Sequence, residues 1–201
     1  MTFYSLAFDG SMREDLIYAR ADVDVDGIIS FGRRNRVVGV SYSTEVRRAE
    51  YFNPAIQSLL ASLTKALPGH PSLDVIDSSV DENKLLVFAS GDTDTRVYYI
   101  FDRQSHQLKT LLVIRAQLEG VKLATMKPVN YPARDGTIVP GYLTLPPGSE
   151  TSKGLPAIVL PHGGLDARDE RGFQWLAQFY AARGFAVMQT NFRGALGYGD
   201  D

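Results

Sequence analysis

The 201-residue chain contains no cysteine. That excludes disulfides, thiolate nucleophiles and cysteine metal sites, and it fits a reducing compartment. Its three histidines, His70, His106 and His162, share no spacing that a metal site would need, so no metal is expected. Neither sign of charge dominates. With 21 basic and 23 acidic residues the net charge is −2, which gives nucleic acid or an anionic membrane nothing to attract. No apolar stretch approaches the ~20 residues that a membrane-crossing helix requires. The first residues lack the basic start and apolar core of a signal peptide. These absences predict a cytoplasmic protein without cofactor. No Gly-x-Ser-x-Gly occurs anywhere in the chain, so no serine stands in a nucleophile elbow.

What is present reads as two halves. From about residue 16 to 115, short runs rich in β-branched and aromatic residues alternate with turns. Val37–Tyr42, Lys84–Ser90, Arg96–Phe101 and Leu108–Val113 are predicted strands, the last two joined by a polar loop that contains His106. One helix interrupts them. Asn53 can cap it, Pro54 suits its first position, and Ile56, Leu59, Leu60, Leu63 and Leu67 share a face. Pro68-Gly69 should stop it, leaving His70 facing solvent. Repeats of this kind suggest β-propeller blades of roughly 40–50 residues, hence about two to three blades, too few to close a ring. Asp22-Val-Asp24-Val-Asp26-Gly27 matches the first half of a calcium-binding EF-hand loop. The twelfth position is Arg33, a cation where a bidentate Glu belongs, so the stretch is read as a turn between strands.

From about residue 121 the pattern changes. Two strands joined at Asp135-Gly136 lead through a breaker-rich loop to Leu155–Leu160, a continuous apolar run expected of a strand buried on both faces of a parallel sheet. Phe173, Leu176, Ala177 and Tyr180 recur at helical spacing, Gly184 ends that helix, and Phe185–Thr190 is the next buried strand. Strand, helix and strand make a βαβ unit. Asp166, Arg168, Asp169, Glu170 and Arg171 read as the polar start of its helix, where acids suit the dipole. The first strand ends in His162-Gly163-Gly164, the device by which many α/β-hydrolases offer backbone N–H groups to a developing oxyanion. The alternative is that the glycines only turn the chain. Arg193, in Asn191-Phe-Arg-Gly194, ends the second strand on the side where α/β proteins place ligands. It is a candidate for a substrate carboxylate or carbonyl; the alternative is a buried arginine tied to Asp166 or Asp169.

Several of these segments in order resemble the prolyl oligopeptidase family of serine peptidases, in its acylaminoacyl-peptidase and dipeptidyl-peptidase-like branch. They are Tyr131-x-Ala-Arg-Asp-Gly136, Gly141-Tyr-Leu-Thr-Leu-Pro146, His162-Gly-Gly164 with Ala167-Arg-Asp169, Gly172-Phe173, Arg183-Gly-Phe-Ala-Val187, Asn191-Phe-Arg-Gly194 and Gly197-Tyr-Gly199. One departure is Leu165, where the family commonly has proline. The resemblance implies a partial β-propeller, its last blades, over residues 1–120, followed by the N-terminal part of an α/β-hydrolase domain over residues 121–201. It implies that Gly164 supplies one oxyanion-hole N–H, that Gly163 and Arg193 meet substrate, and that the substrate is a short peptide cleaved through an acyl-enzyme. The family's Ser, Asp and His would all follow Asn191–Gly194, so the triad is not in this chain and His162 is not the catalytic base; it is expected to anchor its loop by hydrogen bonding. By itself the chain is expected to be inactive and poorly soluble. Two other readings stay open: a non-catalytic truncated chain acting as a binding module, and an esterase using the same loop, which leaves the strand-rich half unexplained.

Overall fold

The computed structural model describes residues 2–32, 34–94, 96–149, 151–164 and 167–198. Arg33, Leu165, Asp166 and Gly199, all singled out by the sequence, lie outside them. The strand-rich half forms three separate antiparallel sheets. β1 (Thr2–Leu6) and β2 (Glu14–Ala19) make a hairpin. β3 (Val25–Phe31), β4 (Arg36–Ser43) and β5 (Arg47–Tyr51) make a three-stranded sheet. After α1 (Pro54–Ala66), β6 (Ser72–Ser78), β7 (Lys84–Ser90), β8 (Val97–Asp102) and β9 (Gln107–Val113) follow as a meander in spatial order. Only the third of these sheets has the four strands of a propeller blade, and the described residues do not close a ring.

One apolar core joins the second and third sheets through α1. Val38, Tyr51, Ile56, Leu60, Leu73, Val75, Leu85, Val87, Ala89 and Phe101 are buried together. Leu85, Val87 and Ala89 alternate along β7, so the period of two sends each inward. Inside the core the Val75 N–H donates to the Tyr51 hydroxyl at 3.2 Å, so the one polar atom of that ring is satisfied. Gly39 is obligatory where β4 meets β5: a Cβ there would lie 2.3 Å from the Glu50 carbonyl oxygen. α1 forms as the sequence predicts. Asn53 Oδ1 accepts from the Ala55 N–H at 2.9 Å, Ile56 and Leu60 are buried, and Leu59, Leu63 and Leu67 flank them.

The second half is a mixed sheet in the order β10-β11-β13-β12. β10 (Met126–Pro132), β11 (Ile138–Thr144) and β13 (Ala186–Thr190) pair antiparallel, and β12 (Ala157–Val159) runs parallel to β13 after the crossover helix α2 (Trp175–Ala181). Two expectations change here. β12 is not buried on both faces: it is three residues long, sits at the sheet edge beside β13 alone, and leaves Val159 67% exposed. β13 does have a buried face, through Val187 and Gln189. α2 also begins later than the charged run suggests. Gln174 caps it, accepting from the Leu176 N–H at 3.2 Å, so buried Phe173 precedes the helix and Arg168–Arg171 lie outside it. The side chains of Arg168, Glu170 and Arg171 are held by partners in the strand-rich half, and that of Asp169 by Gln189.

Candidate active site

The His162-Gly163-Gly164 segment leaves the carboxyl end of β12, whose last register contact is the Leu160 N–H to the Met188 carbonyl at 2.8 Å. Gly164 has φ +76°, a conformation that side chains with a Cβ rarely adopt. A Cβ at Gly163 would meet no atom within 4 Å. Both glycines are exposed, so among the described residues this backbone is open to a ligand carbonyl.

The described chain on either side of these glycines is anchored at the end of β13. At one end the His162 ring stacks on Phe192, with centroids 4.4 Å apart and planes at 15°. At the other, the Asp169 N–H donates to Asn191 Oδ1 at 2.7 Å, and Asn191 Nδ2 donates to the Asp169 carbonyl at 3.0 Å. Asn191 is buried, and its Nδ2 also donates to the Tyr198 hydroxyl at 2.7 Å. The expected hydrogen bond from His162 is not made. Among the described residues both its ring nitrogens are buried without a partner, and stacking anchors the ring instead. Asp169 Oδ1 accepts from Gln189 Nε2 at 2.9 Å. Burial pushes the Asp169 carboxyl up, opposed by that hydrogen bond and by nearby His162.

Arg193 is neither buried nor tied to Asp169. Its side chain is 67% exposed and pairs with Asp135 in the β10–β11 turn. Asp166 lies outside the described residues. The Asp135 carboxyl is held below the usual range, first by the Thr137 N–H and hydroxyl and then by Arg193. The sequence places Arg193 at the right end of the sheet, but the guanidinium reaches the neighbouring turn rather than the segment at Gly164.

Arg168, Glu170 and Arg171 brace the two halves against each other. Arg168 donates to the Ser43 and Thr44 carbonyls at 3.2 and 2.9 Å and lies over the Tyr198 ring at 4.2 Å. Glu170 accepts from Ser43 Oγ and from Arg47, which also pairs with Asp26 at 2.9 Å. Arg171 pairs at 3.3 Å with Asp92, whose carboxylate also accepts the Met126 N–H at 2.8 Å. Gln178 of α2 accepts the Ala124 N–H at 2.8 Å and donates to the Ala124 and Asp92 carbonyls. Between the halves lies a cavity of about 870 Å³, with Arg47, Asp74, Arg96, Asp169, Glu170 and Gln189 in its wall. Gly163 and Gly164 are not in that wall; Asp169 and Gln189 are what connect it to the loop. Sequence reasoning missed Asn191 as a clamp and Gln178 as a tie. The one available signal was a glutamine between Ala177 and Ala181 on a buried helix face.

No family model matches the chain. Dipeptidyl aminopeptidase BIII of Pseudoxanthomonas mexicana is 32% identical over 197 residues, which cover 95% of this chain and 28% of that protein. Relatives and structural neighbours alike are dipeptidyl peptidases, prolyl oligopeptidases and acylaminoacyl peptidases, and the chain is similar to a part of such a prolyl oligopeptidase-family protein. The prolyl oligopeptidase-like fold is matched in dipeptidyl peptidase 4 of Porphyromonas gingivalis, with a TM-score of 0.66 at 13% identity over 99% of this chain and 28% of that one. The acylaminoacyl peptidase of Pyrococcus horikoshii matches with a TM-score of 0.62 at 17% identity, over the whole of this chain and 29% of that one. The chain thus spans under a third of the length of the prolyl oligopeptidase-family proteins it matches. Among the described residues no group of His, Cys, Asp or Glu could hold a metal ion, and Asp22 and Asp26 of the calcium-like stretch are paired with Arg20 and Arg47. No helix among them is long and apolar enough to cross a membrane.

Proposed function

We propose that this chain is part of a serine-type peptidase that cleaves short peptides through an acyl-enzyme. In this reading residues 1–120 are the closing blades of a β-propeller, and residues 121–201 begin the α/β-hydrolase domain. The reading rests on one observation: an exposed Gly163-Gly164 backbone at the carboxyl end of β12, held at both ends by His162 on Phe192 and Asp169 on Asn191. A preorganised N–H at Gly164 would stabilise the oxyanion of the tetrahedral intermediate, and one such donor is worth ~3–4 kcal/mol in the transition state. Gly163 would lie against the substrate backbone. Arg193, held by Asp135, meets substrate only if that ion pair opens. The 201 residues hold no Gly-x-Ser-x-Gly. The nucleophile, the histidine that takes its proton and the acid that orients the histidine are therefore assigned to the remainder of the protein that carries this chain. A peptide substrate is favoured over an ester because the strand-rich half, packed on the hydrolase-like half, would limit entry to short chains.

Two measurements test this. The coding sequence beyond codon 201 should run into Gly-x-Ser-x-Gly, followed by Asp and then His. The whole gene product should hydrolyse a dipeptide chromogenic amide and be stopped by a serine-directed inhibitor, while the 201-residue chain alone turns over neither amide nor ester. A stop codon directly after 201 in an intact gene, or turnover by the isolated chain that the inhibitor abolishes, would overturn the proposal.

A further inference from the structure

Two cations stand side by side near the cavity, and among the described residues no acid pairs with either. Arg96 immediately precedes β8 and Arg115 follows β9. The antiparallel pairing of those strands, extended by the Ile114 N–H to the Arg96 carbonyl at 2.9 Å, brings them together. Neither guanidinium forms an ion pair among the described residues. The nearest acid in sequence, Asp94, spends a carboxylate oxygen on the Arg96 backbone N–H at 2.8 Å. Arg171, also in the cavity wall, is already paired with Asp92.

The pair is held in place by Phe173. Arg96 Nη2 donates to the Phe173 carbonyl at 3.2 Å, and the Arg115 guanidinium lies on the Phe173 ring at 4.4 Å. That leaves Arg96 Nε and Arg115 Nη1, each buried and each without an acceptor among the described residues. A buried charged donor without an acceptor is costly, and a second cation beside it adds repulsion. Burial first, and Arg115 second, hold the Arg96 guanidinium below its ordinary value. Arg96 is also in the left-handed region, at φ +62°. A long side chain persists there only when its surroundings enforce it, and such residues cluster at ligand sites. Arg96 and Phe173 both line the cavity.

We propose that Arg96 and Arg115 form a binding site for an oxyanion, the carboxylate of a peptide or a phosphate, entering from the cavity. A guanidinium presents parallel N–H groups that match two oxygens of either anion, and two such forks in one place accept both. The site is independent of acyl transfer: its occupancy is a binding event, read without turnover.

Isothermal titration calorimetry on the whole gene product tests it with three probes: inorganic phosphate, N-acetylglycine and N-acetylglycinamide. Saturable binding of phosphate or N-acetylglycine is expected, with the amide at least about tenfold weaker than the acid, the loss of one charge-assisted contact. Arg96→Gln and Arg115→Gln should each weaken the anion at least about tenfold, and Arg96→Lys should retain part of the affinity. Tighter binding of N-acetylglycine than of phosphate assigns the site to a peptide carboxylate, and the reverse order assigns it to phosphate. Equal binding of acid and amide to the unsubstituted protein, or no saturable heat with either anion, overturns the proposal without any variant having to fold.

Discussion

Asn191 spends its whole side chain holding other residues in place. Its Oδ1 and Nδ2 reproduce, toward Asp169, the two bonds that a paired β-residue would make with its backbone. Its second Nδ2 hydrogen goes to Tyr198. Asn191→Ala should therefore strand a buried N–H and a carbonyl together, destabilising the protein by about 2–4 kcal/mol. Urea unfolding measures this, and amide exchange at Asp169 should accelerate alongside it. A loss under about 0.5 kcal/mol, the level of an ordinary surface change, would mean the clamp is incidental. Asparagine at the end of a strand was legible in the sequence as part of a family motif. Its partner was not, because nothing local distinguishes a side chain that binds a ligand from one that binds the backbone across a gap of 22 residues.

At the scale of elements, legibility followed how local the determining interactions are. α1 was readable because its cap, its first-turn proline and its apolar face all lie within the segment itself. β12 was misread because an apolar run looks the same in a central strand and in an edge strand, and the difference lies in neighbours that the run does not encode. The charged run at Arg168–Arg171 was misplaced for the same reason. Its acids suit a helix start, yet its partners are Ser43, Arg47 and Asp92, far away in the chain. Helix α2 carries its own non-local tie in Gln178. Replacing it by leucine keeps the volume but leaves the Ala124 N–H and the Ala124 and Asp92 carbonyls without this partner. Gln178→Leu should cost about 2–4 kcal/mol in chemical denaturation, with Gln178→Glu intermediate because it keeps only the acceptor. A neutral or stabilising leucine would show that these groups find other partners readily.

For the molecule as a whole, the described residues of the two halves cohere through a few polar contacts around the cavity, and the buried apolar cluster lies within the strand-rich half. The pair between Arg47 and Glu170 is partly exposed, so it should contribute little and fade with salt. Arg168 matters more, because its fork serves two carbonyls of the β4–β5 turn and packs on Tyr198. Arg168→Lys, which keeps the charge but not the fork, should loosen the junction while each half stays folded. Amide exchange should rise around residues 43–47 and 168–172, with the β6–β9 sheet unchanged. A uniform change across both halves would instead mark them as one cooperative unit.

The clamp and the brace differ in how much chain each must close. Asn191 meets Asp169 across 22 residues, whereas Glu170 meets Ser43 across 127. Closing the longer loop costs about 1.5 kcal/mol more in chain entropy. Contacts of short separation form sooner, so the Gly163-Gly164 turn can take shape within the second half before that half docks. The order of assembly is thus written into the spacing of the partners: the turn comes first, and the cavity comes into being only when the halves meet.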